Sequence, residues 1–78
     1  MKKQPKRAIV MFLDYTGLPR AWGDADAANV KQAETIAREQ LAKYCAKQVG
    51  LEPDLADPSR YTKKIEYYTP SHPELDER

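Results

Sequence analysis

The first apolar run of the chain spans residues 8–13 and does not alternate with polar residues. As a strand, it would place Ala8, Val10 and Phe12 on one face and Ile9, Met11 and Leu13 on the other. A strand that is apolar on both faces is typical of the centre of a covered sheet. Residues 7–15 are therefore predicted to form a central strand. The glycine and proline within residues 16–19 predict a turn, after which residues 20–22 return as a short second strand.

A longer segment shows the three- and four-residue spacing of an amphipathic helix. Its apolar stripe consists of Val30, Ala33, Ile36, Ala37, Leu41, Tyr44 and Cys45. We predict one continuous helix over about residues 26–48, which covers one face of the sheet. Asp24 or Asp26 is expected to cap its N-terminus, because a carboxylate accepts hydrogen bonds from the first free N–H groups. Gly50 suits the left-handed conformation that often ends a helix.

β-Branched and aromatic residues return in residues 61–69, which predict a last strand. Before it, residues 51–60 carry two prolines and three acids, a composition typical of a surface connection. These elements predict an α+β fold, in which a small two- or three-stranded sheet packs on one long helix in the order β-β-α-β. Residues 7–69 are assigned to this single domain. We interpret residues 1–6 as a flexible basic arm and residues 70–78 as a flexible acidic tail.

The charge balance narrows the choice of partners. Thirteen Lys and Arg residues stand against twelve Asp and Glu residues, and the net charge of +1 argues against binding nucleic acid or membrane by bulk charge alone. The apolar run of residues 8–13 is too short for a membrane span or for the apolar region of an export signal. We therefore expect no membrane partner. The single cysteine fits a reducing, cytoplasmic setting.

Catalytic chemistry has few candidates in this composition. Three glycines, one cysteine and one histidine exclude a disulfide framework, a cysteine-rich zinc module and an iron–sulfur site. A cysteine–histidine enzyme would need Cys45 to meet His72, yet Cys45 belongs to the apolar helix stripe and His72 lies between two prolines. Asp24 and Asp26 have the spacing to share a divalent cation, with Asp14 near them across the hairpin, but helix capping accounts for both. We expect no catalytic residue, no cofactor and no metal.

Basic and aromatic residues interleave over residues 60–68, where rings can stack on bases while Lys and Arg neutralise phosphates. The basic arm would add to such a surface. The alternative is an edge strand whose lysines deter aggregation and whose tyrosines cover a small core, and it is favoured because Glu66 interrupts the patch. The residues considered for a partner or nucleic-acid surface are Arg60, Lys63, Lys64, Tyr67, Tyr68 and Trp22. Of these, Trp22 is expected to cover the core.

One helix cannot cover both faces of the apolar first strand. A second copy of the chain is a means of covering the other face, or of pairing with an edge strand such as residues 61–69. We therefore expect a homodimer, weakened by Phe12→Asp or Met11→Asp, whichever side chain the helix leaves open. The sequence predicts a small non-enzymatic interaction or accessory domain. The alternative is a nucleic-acid-binding module that uses the last strand and the basic arm.

Overall fold

The computed structural model describes residues 6–69 of the chain. Within them, β1 (Arg7–Leu13), β2 (Pro19–Asp26) and β3 (Thr62–Tyr68) form one antiparallel sheet in the order β2-β1-β3. The helix α1 (Val30–Gln48) follows a short 3-10 helix at Ala27–Asn29, and a second one at Pro58–Arg60 precedes β3. The predicted α+β fold, with a small sheet packed on one long helix, is confirmed.

β1 occupies the centre of the sheet, where its doubly apolar pattern predicts it. Its side chains alternate between two environments. Those that point toward α1 are buried: Ala8, Val10 and Phe12. The apolar side chains that point the other way are half-buried: Ile9, Met11 and Leu13. The helix therefore covers one apolar face of β1 and leaves the second one outside the core.

β2 is longer than the sequence predicts, since it runs over Pro19–Asp26 rather than residues 20–22. Its pairing with β1 shifts just before Leu13, so that Arg20 is an extra residue in β2. Such a bulge redirects a side chain, and the Arg20 guanidinium here reaches Asp14. Because the Asp14 carboxylate holds the turn, β1 ends at Leu13, two residues earlier than predicted.

The predicted cap at the helix N-terminus is wrong. Asp24 and Asp26 belong to β2, whose pairing with β1 continues to its last residue. Both carboxylates form ion pairs with Arg7 instead of capping the helix. The residue before α1 is Asn29, whose side chain makes no capping hydrogen bond. The α-helix then begins at Val30, four residues after the predicted start.

α1 packs on β2 at very short range. Its buried residues are Ala33, Ala37, Leu41 and Cys45. Ile36 and Tyr44, which the apolar stripe predicts to be buried, are only half-buried. Gly23 of β2 faces the helix, and a Cβ atom there would lie 2.6 Å from the Ala37 backbone nitrogen and closer still to the Ala33 carbonyl oxygen. Small residues on both elements therefore let the helix backbone approach the strand.

The connection from α1 to β3 is anchored at Tyr61. Gly50, with φ +83°, follows the helix in the left-handed conformation that the sequence predicts. Farther along, Leu55 is buried, and its carbonyl oxygen accepts a 2.7 Å hydrogen bond from the Tyr61 hydroxyl. Burial raises the pKa of Tyr61 to about 12. The partly buried ring and its hydrogen bond fix the point from which β3 starts.

β3 is an edge strand, and each of its seven residues is exposed. α1 lies over β2 and β1, so β3 extends past the helix and is covered on neither side. The predicted alternation agrees with the pairing to β1. The helix side of β3 carries Lys63, Ile65 and Tyr67, and the other side carries Thr62, Lys64, Glu66 and Tyr68.

Of the predicted basic arm, Lys6 alone lies within the described residues. Its backbone N–H donates to the Tyr68 carbonyl oxygen, and its own carbonyl accepts from the N–H of Ala27. Lys6 is therefore joined to the edge strand β3 and to the 3-10 helix that follows β2. Residues 1–5 of the arm and the predicted tail, residues 70–78, lie outside the described residues.

Candidate functional site

Within residues 6–69, no element covers the side of the sheet opposite α1. We call this side the open face. The pairing registers place on it Arg7, Ile9, Met11 and Leu13 from β1, Trp22, Asp24 and Asp26 from β2, and Thr62, Lys64, Glu66 and Tyr68 from β3. It thus has an apolar column along its central strand and charged residues around it.

Trp22 is the single tryptophan of the chain and stands on the open face, 54% exposed. Its register partner is Met11, and Ile9 and Leu13 continue the apolar column on either side. The expectation that Trp22 covers the core is wrong, because its two neighbours in β2 face the helix and Trp22 must point the other way. An exposed tryptophan beside an apolar column is typical of protein interfaces.

Arg7 organises the charged end of the open face. Its Nε lies 3.1 Å from Asp24 Oδ1, and its Nη1 lies 3.0 Å from Asp26 Oδ1. The Tyr68 hydroxyl donates a hydrogen bond to the other carboxylate oxygen of Asp24, and this hydrogen bond raises the pKa of Tyr68. The two carboxylates considered for a divalent cation are thus engaged by an arginine. Among residues 6–69, no group of three or more His, Cys, Asp or Glu side chains is placed to hold a metal ion.

Asp14 lies at the opposite end of the β1–β2 hairpin from Asp24, so the expectation that these acids lie together is wrong. The Asp14 carboxylate is buried and accepts hydrogen bonds from the Thr16 hydroxyl at 2.6 Å and from Arg20 Nε at 2.6 Å. Hydrogen bonds from Thr16 and Arg20 hold the pKa of Asp14 well below its usual range. Asp14 therefore closes the turn between the strands as a carboxylate anion at neutral pH.

Cys45 lies in the core, on the side of α1 that packs against the sheet. Burial raises the pKa of the Cys45 thiol, so the nucleophilic thiolate is disfavoured at neutral pH. His72, the base that a cysteine enzyme would require, lies outside the described residues. The lack of enzymatic activity stays a prediction.

β3 divides the basic and aromatic residues between its two sides. Lys63 and Tyr67 lie on the helix side, whereas Lys64 and Tyr68 lie on the open face. Each cation also has an acidic neighbour: Lys63 with Glu34 at 3.4 Å, Lys64 with Glu66 at 3.1 Å, and Arg60 with Asp57 at 3.9 Å and Asp54 at 4.0 Å. Trp22 is on the other edge strand. These residues do not form one continuous basic surface, and nucleic-acid binding stays a prediction.

Sequence patterns do not indicate the depression that lies between β2 and α1. It encloses about 320 Å³ and is lined by Arg20, Ala21, Trp22 and Gln40. The Arg20 guanidinium lies 5.8 Å from the centre of the Tyr44 ring while it remains bonded to Asp14. The bulge that brings Arg20 there has no sequence signature, since Arg20 fits the ordinary alternation of a strand. The contacts of Arg20 with Asp14 and with the Tyr44 ring hold the start of β2 against α1.

The chain matches no protein-family model, and it shows no significant similarity to a curated protein or to a solved structure. In the described part of the chain, no helix combines the length and the apolar character needed to cross a membrane. The open face and β3 are therefore the candidate functional surfaces.

Proposed function

We propose that this chain is a small, non-enzymatic interaction domain of the cytoplasm that self-associates as a homodimer. The observation that carries the proposal is the apolar column of the open face, with the exposed ring of Trp22 beside Met11. Removing apolar surface from water favours association, and only the part that exceeds the entropic cost of association contributes to affinity. A chain of 78 residues has a thin core, so burial of further apolar surface matters to its stability.

A second copy of the chain is the partner that these surfaces support best. In addition to the open face, all of β3 is exposed, and an exposed edge strand is a template for pairing with another strand. The net charge of +1 gives two copies little mutual repulsion. Closed two-fold dimers are also the commonest assemblies of small soluble proteins.

The positions of the reactive side chains support the non-enzymatic part of the proposal. Cys45 is buried with a raised pKa, and Asp14 is held as an anion within a turn. Asp24 is bound by Arg7 and Tyr68. Each group already takes part in an interaction that stabilises the fold, which argues against a role as nucleophile or general base.

Sedimentation velocity, from low micromolar to several hundred micromolar protein, tests self-association. We expect a dimer that dissociates only at low micromolar concentration. Met11→Asp should weaken it, because the new carboxylate stands in the middle of the open face. Gln32→Asp makes the same charge change at an exposed helix position and should leave it unchanged. A monomer at several hundred micromolar would contradict the proposal.

Trp22 provides an independent measurement, because its emission reports on the open face alone. If a partner covers this face, the emission should move to shorter wavelength as the complex forms. In a dimer with unchanged Trp22 emission, the contact must lie elsewhere on the sheet.

A mobility-shift assay with mixed RNA and DNA tests the nucleic-acid alternative. Binding that weakens steeply with salt would instead favour the nucleic-acid alternative.

A further inference from the structure

We infer that two copies of this chain join edge to edge through β3, in an antiparallel pairing centred on Ile65 of each copy. This inference rests on the proposed self-association, but it is argued from the exposed edge of β3 rather than from the open face, which stays uncovered in each copy. β1 occupies one edge of β3, and no described element occupies the other. The strand is seven residues long and exposed throughout, so a second strand can approach it without displacing α1.

The backbone groups of β3 alternate between its two edges. The N–H of Ala27 donates to the carbonyl of Lys6 at 2.9 Å, which indicates that even-numbered residues of β1 bond to β2. The odd-numbered residues of β1 then bond to β3, where the register pairs Arg7 with Tyr68. Even-numbered residues of β3 are therefore engaged with β1. The N–H and C=O groups that point to the outer edge belong to Lys63, Ile65 and Tyr67.

The sequence of β3 is complementary to itself in the register centred on Ile65. This register uses the outward-pointing groups and pairs the whole strand, from Thr62 to Tyr68. Lys64 of each copy then lies opposite Glu66 of the other, on the open face. Opposite charges across a strand pair are stabilising, and like charges directly opposite are destabilising. The pairing therefore adds two favourable cross-strand ion pairs that are related by symmetry.

Shifting the centre of the pairing by one residue from Ile65, in either direction, places like charges opposite each other. A centre at Lys64 places the two Lys64 ammonium groups directly opposite each other. A centre at Glu66 does the same with two carboxylates. Both shifts also leave residues at one end of the strand unpaired. The charge pattern of β3 consequently selects Ile65 as the centre.

The helix side of β3 gains contacts in the same register. Ile65 is 38% exposed and Tyr67 is 53% exposed in one copy. Pairing places the two Ile65 side chains against each other, and it sets the Tyr67 ring of one copy opposite Lys63 of the other. The two-fold axis stands perpendicular to the sheet. The dimer is then a continuous six-stranded sheet, with both α1 helices on one side and both open faces on the other.

A pair of charge variants tests this register. Lys64→Glu leaves two carboxylates at positions 64 and 66, and Glu66→Lys leaves two ammonium groups there. Each variant alone should self-associate roughly tenfold more weakly than the native chain, because each cross-strand pair becomes repulsive. An equimolar mixture should restore the dimer, since every such position then carries opposite charges. Glu39→Lys, on the exposed side of α1, is the matched control and should dimerise like the native chain. Sedimentation velocity compares the native chain, the two charge variants, their mixture and the control.

Residue-resolved amide hydrogen exchange gives a second measurement. In the dimer, the amides of Lys63, Ile65 and Tyr67 should exchange slowly, and dilution to monomer should make them fast. The amides of Lys64 and Glu66 should change less, because they bond to β1 in either state. Trp22 emission should stay constant, since Trp22 stands on the other edge strand.

The results of these experiments distinguish pairing through β3 from self-association through another surface. If both charge variants dimerise like the native chain and Trp22 emission shifts on association, the pairing through β3 is wrong and self-association stands. If the native chain is monomeric at several hundred micromolar, both fail. Met11→Asp does not distinguish contact through the open face from pairing through β3. Met11 lies opposite Lys64 in the register, so a carboxylate there would attract that lysine away from Glu66 of the other copy and would weaken either dimer.

Discussion

The two edge strands of the sheet differ in how their side chains are used. β2 lies beneath α1 and presents to it only small residues: Ala21, Gly23 and Ala25. β3 carries larger apolar side chains, among them Ile65 and Tyr67, yet they remain exposed. In the two edge strands, therefore, the smaller side chains are the buried ones and the larger side chains are exposed. The close approach of backbones at β2 stabilises the fold, whereas the larger side chains of β3 contribute little to the core of one copy.

The largest expected effect on stability is at Gly23, where the helix backbone leaves no room for a side chain. Gly23→Ala should destabilise the fold by on the order of 3 kcal/mol, because α1 must move away from β2. The control is Gly50→Ala, which meets no atom within 4 Å and should cost about 1 kcal/mol through its positive φ alone. Urea unfolding followed by circular dichroism measures both. Equal losses would show that α1 is not held tightly on β2.

A loss of comparable size is expected at Leu41, whose side chain is buried against the sheet. Leu41→Ala should cost about 2–4 kcal/mol, since it removes apolar contacts and leaves a cavity. Lys43→Ala, two residues along the helix and exposed, should cost less than about 0.5 kcal/mol. The midpoints of urea unfolding compare the two variants. A small loss for Leu41→Ala would mean that α1 does not pack as described.

An acid-dependent loss of stability is expected at Asp14. Its pKa is lowered in the folded chain, so the folded state holds the proton less tightly than the unfolded state does. The contribution of Asp14 is therefore complete above the usual aspartate value of 3.8 and is lost as pH falls below it. Asp14→Asn should be less stable at neutral pH and less sensitive to acid. Urea unfolding across this range measures the slope, and Asp54→Asn, at an exposed site, should behave like the native chain.

The smallest expected effect on the monomer is at Ile65. Ile65 lies opposite Val10 in the register, but Val10 is 0% exposed and Ile65 is 38% exposed. At concentrations where the chain is monomeric, Ile65→Ala should cost less than about 1 kcal/mol, whereas Val10→Ala should cost roughly 2 kcal/mol. A large loss for Ile65→Ala in the monomer would show that β3 belongs to the core rather than to an interface.

The sequence predicts the elements well where a local pattern determines them. The doubly apolar run around Val10 predicts the central strand, because few other positions in a small sheet suit it. The spacing through Ala33 and Leu41 predicts the helix and its buried side. Strand alternation alone assigns Lys63 and Lys64 to opposite sides of β3. Each of these inferences depends on residues near one another in the chain.

The sequence does not predict the features that depend on tertiary packing. Gly23, Asp24 and Asp26 have low strand propensity, and the two aspartates resemble helix caps, so the length of β2 cannot be read from them. The strand forms because Gly23 fits beneath α1 and Arg7 binds both carboxylates. Trp22 is misassigned for the same reason, since its direction follows from the burial of its neighbours. The exposure of β3 depends on where the helix lies across the sheet, which no local pattern specifies.

The strand order β2-β1-β3 also has a consequence for synthesis on the ribosome. β1 and β2 are neighbours in the chain and can pair as soon as both have emerged, but β3 follows β1 by roughly 50 residues. At about 5–20 residues per second, one edge of β1 then waits several seconds for its partner. During that interval the nascent hairpin exposes an apolar central strand whose second edge is unpaired. Adding the β3 segment in trans to an arrested chain that ends before Thr62 should therefore protect β1 amides from exchange.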